Sequence, residues 1–296
     1  MVVIKKLAGL LSALTLSVIM IACSSSSDAP TTFSLAITDA PVDGATSVVV
    51  EFTGVELKTS GGPAMSFDFD TPRQIDLLAL QGTNATDLLT DVEVEAGAYQ
   101  WIRLKVNAQA NTMDSFISFE DGNTYSLTIP SGNETGLKLV RGIVINQGTQ
   151  AAFTIDFDLR KSIVDPRNEA SDYFLKPALR LIDNNESGDI QGSVSNATAE
   201  LEACSSGAVV YVYEGLDIVA DDEGSATPPL TSANVEFDTT ANTYSYTVGY
   251  LTPMDYTLAI TCEAGDDEAE TDEDIEFLAS INATVVADQV TTADFN

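Results

Sequence analysis

The chain of 296 residues contains no histidine and little positive charge, with 13 Lys and Arg against 45 Asp and Glu, for a formal net charge of −32. Without imidazole, a histidine-based catalytic triad, a histidine-ligated zinc ion and a histidine pH switch are excluded. The shortage of cations argues against a nucleic-acid partner, because phosphate binding needs clustered Lys and Arg. The hydrophobic share of 44% is nevertheless sufficient for folded cores.

Long hydrophobic runs are also lacking, apart from one at the start of the chain. Lys5 and Lys6 precede an apolar run over Leu7–Ile21, which Ala22, Cys23 and four serines follow. At about 15 residues the run is shorter than the roughly 20 that a membrane-spanning helix needs. The pattern of cations, apolar run and small residues is typical of an export signal, so we predict a signal peptide over residues 1–22.

The end of this signal points to a lipid anchor. The junction Met20-Ile21-Ala22-Cys23 resembles the lipobox of bacterial lipoproteins, and the resemblance implies cleavage before Cys23 and acylation of Cys23. The alternative is an ordinary signal peptide that is cut elsewhere. Several acyl chains on one residue make membrane anchoring stable. An Asp directly after Cys23 would resemble the bacterial signal for retention in the inner membrane. Ser24 stands there instead, so we expect an outer-membrane lipoprotein of the bacterial cell envelope. We expect residues 23–32 to form a lipidated tether.

Charge divides the remaining chain in two. Residues 23–183 carry 22 acids and 11 bases, whereas residues 184–296 carry 23 acids and no base. The stretch between Asp183 and Gly188 is polar and rich in turn-forming residues. We therefore predict one domain over residues 33–183 and a second, acidic domain over residues 189–296.

Apolar residues in both halves recur with a period of two. In Phe33-Ser34-Leu35-Ala36-Ile37, and again over Phe153–Leu159, large apolar side chains alternate with small or polar ones, as in half-buried antiparallel strands. The apolar phase shifts at Gly54, which predicts a β-bulge there. One short helix is expected, over residues 74–81. The predicted fold class is all-β, with two antiparallel β-sandwich domains after the signal peptide and tether.

Three segments of the first half carry a family resemblance: Phe33–Lys58, Val92–Val106 and Phe153–Asp183. Together they resemble the bacterial lipoprotein family known only as domain of unknown function 4382, over roughly residues 32–183. The resemblance implies a secreted β-domain without an established activity. The sequence Thr38-Asp39-Ala40-Pro41 matches the family signature, and we interpret its Asp and Pro as a turn after the first strand.

The second half is similar to carboxypeptidase-regulatory-like and carbohydrate-binding-like sandwiches. The similarity lies in Gly188–Val194, in Thr243–Tyr246 and in Tyr256–Leu258. It implies an immunoglobulin-like or carbohydrate-binding-like sandwich, and no peptidase, because the zinc ligands that a carboxypeptidase needs are missing.

Cysteine is scarce, with three residues in the chain. Cys23 is assigned to the lipid, which leaves Cys204 and Cys262 in the second half. Two cysteines in an exported domain most simply form a disulfide. Two buried free thiols are the alternative.

Acidic runs in the second half invite a cation. Carboxylate oxygens suit Ca²⁺, which takes six to eight oxygen ligands. A solvated loop is the alternative, because charge runs commonly repel and extend. The candidate Ca²⁺ ligands are Asp266, Asp267, Glu268, Glu270 and Asp272, to which the run Asp221-Asp222-Glu223-Gly224 could contribute. No other cofactor is indicated.

The sequence contains no catalytic motif. Asp156 and Asp158 could serve as a pair of catalytic carboxylates, but we favour an ion-paired strand face neutralised by Arg160 or Lys161. Six tyrosines of the second half could stack on sugars, but cross-strand packing is the favoured interpretation. We therefore predict a non-enzymatic binding or scaffolding module, with a glycan or an envelope protein as partner. The alternatives are a carbohydrate-active hydrolase with paired carboxylates and a Ca²⁺-stabilised adhesin-like module.

Overall fold

The computed structural model describes residues 29–42, 44–129, 136–165, 172–176, 178–200 and 204–296. The predicted signal peptide, Cys23 and most of the tether lie outside these residues. The described chain is all-β, as predicted, and its α-helical segments are two single turns, α1 (Leu159–Ser162) and α2 (Asn196–Ala199). Within these ranges, no helix has the length and apolarity needed to cross a membrane.

The first half forms two packed sheets. One has the strand order β13-β10-β1-β4, and the larger has the order β11-β12-β7-β6-β2-β5-β8, with β3 added to β2 and β9 added to β5. The strands are β1 (Thr32–Ala40), β2 (Ala45–Thr59), β3 (Ala64–Asp76), β4 (Thr86–Glu93), β5 (Gly97–Asn107), β6 (Phe116–Phe119), β7 (Thr124–Thr128), β8 (Leu137–Leu139), β9 (Ile143–Ile145), β10 (Gln150–Asp158), β11 (Ile163–Val164), β12 (Asp172–Leu175) and β13 (Leu179–Asp183).

The apolar faces of these two sheets enclose the core of the first half. Phe33, Leu35 and Ile37 of β1 are fully buried in that core, but β1 is not half-buried as predicted, because its other face is buried as well. Across the core, Phe52 of β2 meets Phe157 of β10 edge to face, with ring centroids 6.3 Å apart. Edge-to-face aromatic pairs add to the stabilisation that burial gives.

The bulge predicted at Gly54 is confirmed. The pairing of β2 with both β3 and β5 shifts register between Phe52 and Gly54. A Cβ atom at Gly54 would lie 2.6 Å from the carbonyl oxygen of Phe67, so glycine is needed for this close approach. The expected short helix is shorter than predicted: β3 continues to Asp76, and a 3₁₀ turn spans only Leu77–Leu80.

The sheets of the first half are mostly antiparallel, as predicted, with two parallel pairings among the strands given above, β7 with β12 and β1 with β10. Strands β1 and β10 pair in parallel, although each also has an antiparallel neighbour, β4 and β13 respectively. The polar face of β10 is also not half-exposed, since Thr154 and Asp156 are buried. The second half of the chain covers this outer face, where its strand β16 lies against β1.

The second half is a sandwich of two four-stranded sheets, with the orders β17-β18-β14-β21 and β16-β15-β19-β20. Residues from both sheets, such as Ile190, Val248, Val212 and Leu258, form its core. The strands are β14 (Gly188–Val194), β15 (Val209–Glu214), β16 (Thr231–Asn234), β17 (Glu236–Asp238), β18 (Thr243–Leu251), β19 (Asp255–Thr261), β20 (Phe277–Thr284) and β21 (Val290–Thr292).

A disulfide joins Cys204 to Cys262, as predicted, with the Cα atoms 4.6 Å apart. It lies just beyond the last paired residues of β15 and β19, Val209 and Thr261. The bond therefore continues the contact between these two central strands.

Candidate functional site

The outer face of the β16-β15-β19-β20 sheet is covered by loops and not by water. On this face Tyr211 and Tyr213 are fully buried in a small cluster that also contains Ala264. The Tyr211 hydroxyl donates to Asp267 Oδ2 at 2.7 Å, and the Tyr213 hydroxyl donates to the carbonyl oxygen of Asp221. Burial raises the pKa of both tyrosines, so both remain protonated donors. The tyrosines therefore hold the two acidic loops against the sheet, and these two do not form an exposed stacking platform.

The two acidic loops, residues 221–224 and 264–276, are also joined directly to each other. The Glu223 amide donates to both carboxylate oxygens of Asp267, at 3.1 and 3.2 Å. The Glu273 amide donates to Asp222 Oδ2. At Gly224 a Cβ atom would overlap the carbonyl group of Thr271, so the backbones touch there. The short acidic run thus contributes to the longer one.

The loops bring carboxylate oxygens to within 4.8 Å of one another in two groups. One group is Asp222, Asp267 and Glu273, and the other is Asp221, Asp222 and Asp272. Asp222 belongs to both groups and is the most deeply buried member, with 0% of its surface exposed. These residues could hold a metal ion.

The predicted Ca²⁺ ligands are only partly brought together. Asp267 and Asp272 belong to the two groups, whereas Asp266, Glu268 and Glu270 do not. Asp266 is the exposed last residue of the 3₁₀ turn Ala264–Asp266, and Glu270 forms an ion pair with Lys176 of the first half. Glu223 of the added run belongs to neither group. Burial, reinforced by the charge of Asp158, raises the pKa of its carboxyl to about 8.

The geometry makes Asp222, which the prediction included only as part of the added run, a central ligand, and it adds Glu273, which was not among the five candidate ligands. They lie on loops 51 residues apart in the chain, so spacing could not pair them. The available signal was the repetition of acidic runs in a half that has no cation to neutralise them.

The acidic loops also touch the first half of the chain. Arg160 of α1 has only 8% of its surface exposed, and its Nη1 lies 3.4 Å from the Tyr211 hydroxyl and 3.3 Å from the carbonyl oxygen of Ala264. Next to it, Lys161 Nζ donates to the carbonyl oxygen of Pro229 at 2.8 Å. At another point Gly249 approaches Gly82 so closely that a Cβ atom would lie 2.4 Å from its carbonyl oxygen. The two halves therefore pack against each other at a polar contact region, formed by Arg160, Lys161 and Gly82 of the first half and by Tyr211, Pro229, Gly249 and Ala264 of the second, which we call the seam.

A cleft of about 470 Å³ opens in the first half beside this seam, and Leu230 is its one lining residue from the second half. Leu179 and Leu181 of β13 and Leu230 of the second half supply apolar lining, while two ion pairs supply polar lining. The lining ion pairs are Asp156–Arg180, at 2.7 Å, and Asp158–Lys161, at 2.8 Å.

Asp156 and Asp158 are ion-paired, as the favoured interpretation predicted. The partner of Asp158 is Lys161, one of the two cations considered, whereas the partner of Asp156 is Arg180, which faces it across the β10–β13 pairing. Burial raises the pKa of Asp156, and the charge of Arg180 opposes that rise. Both carboxylates are thus engaged with a cation.

The family signature has a different role from the one predicted. Asp39 is not a turn residue: it lies within β1, paired with Phe157 of β10, and the connection to β2 begins only at Pro41. Its side chain is 4% exposed, and neither carboxylate oxygen has a hydrogen-bond partner among the described residues. Burial, with the charges of Asp156 and other nearby carboxylates, raises the pKa of Asp39 well above its ordinary value.

Comparisons with known proteins give structural likenesses at low similarity. No curated protein matches the chain. A "putative cell adhesion protein" (BF2867) of Bacteroides fragilis is 11% identical, over 86% of this chain and 81% of that one, with a TM-score of 0.20. The "putative polysaccharide binding proteins (DUF1812)" structure of Bacteroides thetaiotaomicron is 12% identical, over 77% and 75%, with a TM-score of 0.19. GBS52, the minor pilin of Streptococcus agalactiae, is 9% identical, over 89% and 94%, also with a TM-score of 0.19. These TM-scores are too low to indicate a shared fold.

The family comparison is more specific. The sequence profile of the family described as Domain of unknown function (DUF4382) matches residues 30–177. The matched segment contains β1 with its Thr38-Asp39-Ala40-Pro41 signature, the bulge at Gly54 and the ion-paired strand β10. The resemblance of the second half to carbohydrate-binding-like sandwiches is not supported by this match and stays a prediction. Since the matched segment is half of the chain, the protein belongs to the DUF4382 family.

Proposed function

We propose that this protein is a lipid-anchored, non-enzymatic binding module of the bacterial cell envelope, and that it binds its ligand in the cleft beside the seam. The cleft carries this proposal. Its volume of about 470 Å³ falls within the range of small-ligand sites, and it is a concave site of the first half to which the second half adds Leu230. Leucines and ion-paired side chains line it together, which suits a sugar with one apolar and one hydroxylated face.

The ion pairs in the cleft favour binding over hydrolysis. Paired-carboxylate hydrolases need one carboxyl group to donate a proton and the other to act as base or nucleophile. Here Arg180 holds Asp156 and Lys161 holds Asp158. Carboxylates fixed in this way are suited to accept hydrogen bonds from ligand hydroxyl groups.

The disulfide supports an address outside the cytoplasm, because disulfides persist in oxidising compartments. With the export signal and the Cys23 junction, it favours an anchored envelope protein. We expect the full chain, produced in a Gram-negative host, to incorporate a labelled fatty acid and to sediment with the outer membrane. The Cys23→Ser variant should be unlabelled, because it lacks the thiol that is acylated. Unlabelled wild-type protein in the cytosol with its leader retained would contradict the anchor.

The cleft is tested by filling it. Leu230→Trp adds a large side chain at the rim, and Val219→Trp adds the same bulk at a position that is 86% exposed and does not line the cleft. We expect glycan-array binding by the Cys23→Ser protein and by its Val219→Trp form, and at least a tenfold loss with Leu230→Trp. Release of cleaved products from a bound glycan would show an enzyme. Binding that is equal in both tryptophan variants would place the ligand elsewhere.

A further inference from the structure

The acidic loops of the second half hold carboxylates whose charge this half of the chain cannot balance. Asp222, Asp267 and Glu273 have oxygens within 4.8 Å of one another, and Asp222 is also grouped with Asp221 and Asp272. Residues 184–296 contain no Lys or Arg. Among the described residues, no ion pair engages Asp222 or Glu273.

One buried carboxylate oxygen, Oδ1 of Asp222, distinguishes this group from an ordinary solvent-exposed run of acidic residues. Asp222 has 0% of its surface exposed, and its Oδ1 has no hydrogen-bond partner in the described chain. Its other oxygen, Oδ2, accepts from the Glu273 amide, which fixes the carboxylate within the group. A buried carboxylate oxygen without a partner is costly, and a bound cation removes that cost directly.

The other two carboxylates are already oriented. Asp267 accepts from the Tyr211 hydroxyl at 2.7 Å and from the Glu223 amide, while Glu273 Oε2 accepts from the Glu268 amide at 3.2 Å. Each carboxylate oxygen has two lone pairs, so Asp267 Oδ1 and Glu273 Oε2, which accept one hydrogen bond each, keep one for a metal, whereas Asp267 Oδ2 accepts two. Hydrogen bonds of this kind orient metal ligands in known sites.

We propose that Ca²⁺ binds between the two acidic loops, with Asp222, Asp267 and Glu273 as its central ligands and Asp221 and Asp272 beside them. Carboxylate oxygens are hard ligands, and a set drawn from two irregular loops suits the variable geometry of Ca²⁺ better than the strict octahedron of Mg²⁺. The site is separate from the cleft. It joins loops 51 residues apart in the chain and, through Asp267 and Tyr211, adjoins Arg160 at the seam.

The test uses residues 23–296 with Cys23→Ser, which lack both the apolar leader and the thiol that would carry the lipid. Tb³⁺, a luminescent substitute for Ca²⁺, should be sensitised by Tyr211, whose hydroxyl contacts a ligand carboxylate. We expect saturable emission that Ca²⁺ displaces, with an affinity of roughly 0.1–1 mM for Ca²⁺, as in extracellular modules. Ca²⁺ should also raise the melting temperature more than Mg²⁺ or NaCl of equal ionic strength does.

Two variants of equal charge locate the site. Asp222→Asn removes the central ligand and should weaken Ca²⁺ binding at least tenfold. Asp274→Asn removes an exposed charge of the same loop that belongs to neither group, and should leave affinity within twofold. If Asp222→Asn does not fold, Glu273→Gln is expected to show the same loss.

Three results would overturn the proposal. The first is no saturable signal up to roughly 10 mM Ca²⁺, about ten times the weak end of that class. The second is an equal rise in melting temperature with NaCl, which would show general screening of charge. The third is an unchanged affinity in the Asp222→Asn variant, or in Glu273→Gln where that variant replaces it.

Discussion

Removing the disulfide should destabilise the protein by a predictable amount. Cys204 and Cys262 are 58 residues apart, and the segment between them contains the five strands β15–β19. In the loop-entropy treatment, closing a loop of this length in the unfolded chain stabilises the folded state by about 4 kcal/mol. For a chain of this size, that corresponds to a fall in melting temperature of roughly 8–16 °C.

The assay replaces both cysteines by alanine in the Cys23→Ser background, so that no other thiol is present. Urea unfolding is followed by the emission of Trp101, the single tryptophan, which reports on the first half, and by near-UV circular dichroism of the tyrosines. Either single alanine variant should lose as much stability as the double variant, because either one breaks the bond. A loss below about 1 kcal/mol, or a reduced wild type as stable as the oxidised one, would refute the loop-entropy reasoning.

Two further predictions concern the first half. Asp39→Asn should reduce the pH dependence of the free energy of unfolding. Burial raises the pKa of Asp39 in the folded protein, so ionisation of Asp39 opposes folding. The contribution of Asp39 to stability is therefore greatest below its unfolded pKa of about 4 and is lost as pH rises through its folded pKa. The free energy of unfolding between pH 4.5 and 8 measures this fall, with the exposed Asp70→Asn as control, and parallel curves for wild type and Asp39→Asn would contradict it. Gly54→Val should lower the free energy of unfolding by about 1–3 kcal/mol, because a Cβ atom at Gly54 would lie 2.6 Å from the carbonyl oxygen of Phe67. Gly61→Ala is the control: its Cβ atom would meet nothing within 4 Å, so denaturant unfolding should show almost unchanged stability. Equal stability of the two glycine variants would show that the bulge tolerates a side chain.

Features that depend on neighbouring residues could be predicted from the sequence. The alternation in β1 and β10 follows from the period of a strand, and the bulge follows from the phase shift beside Gly54. The disulfide could be predicted because only two cysteines remain once Cys23 is assigned to the lipid. In each case the physical cause lies within a short segment or in a small count of residues.

Features that depend on packing between distant segments could not be predicted. Nothing near Asp156 in the sequence indicates that β16 approaches the neighbouring strand and that the polar face of β10 becomes buried. The sequence predicts a turn at Asp39 because Asp next to Pro is common in turns. The sequence does not distinguish such an Asp from one that is buried within a strand, because burial depends on distant segments. The pairing of Asp222 with Glu273 depends on Tyr211 and Tyr213, which draw both loops onto the sheet.

The parallel pairing of β1 with β10 has a consequence for the order in which the chain folds. Thr32 of β1 pairs with Glu93 of β4 on one edge and with Gln150 of β10 on the other, so the second edge of β1 stays unpaired until more than a hundred further residues have followed. Contacts of such long sequence separation slow folding and leave an unpaired strand edge exposed in the meantime. On the export route that we propose, periplasmic chaperones would meet the polypeptide with one edge of β1 unpaired, and that edge is the natural place for them to bind.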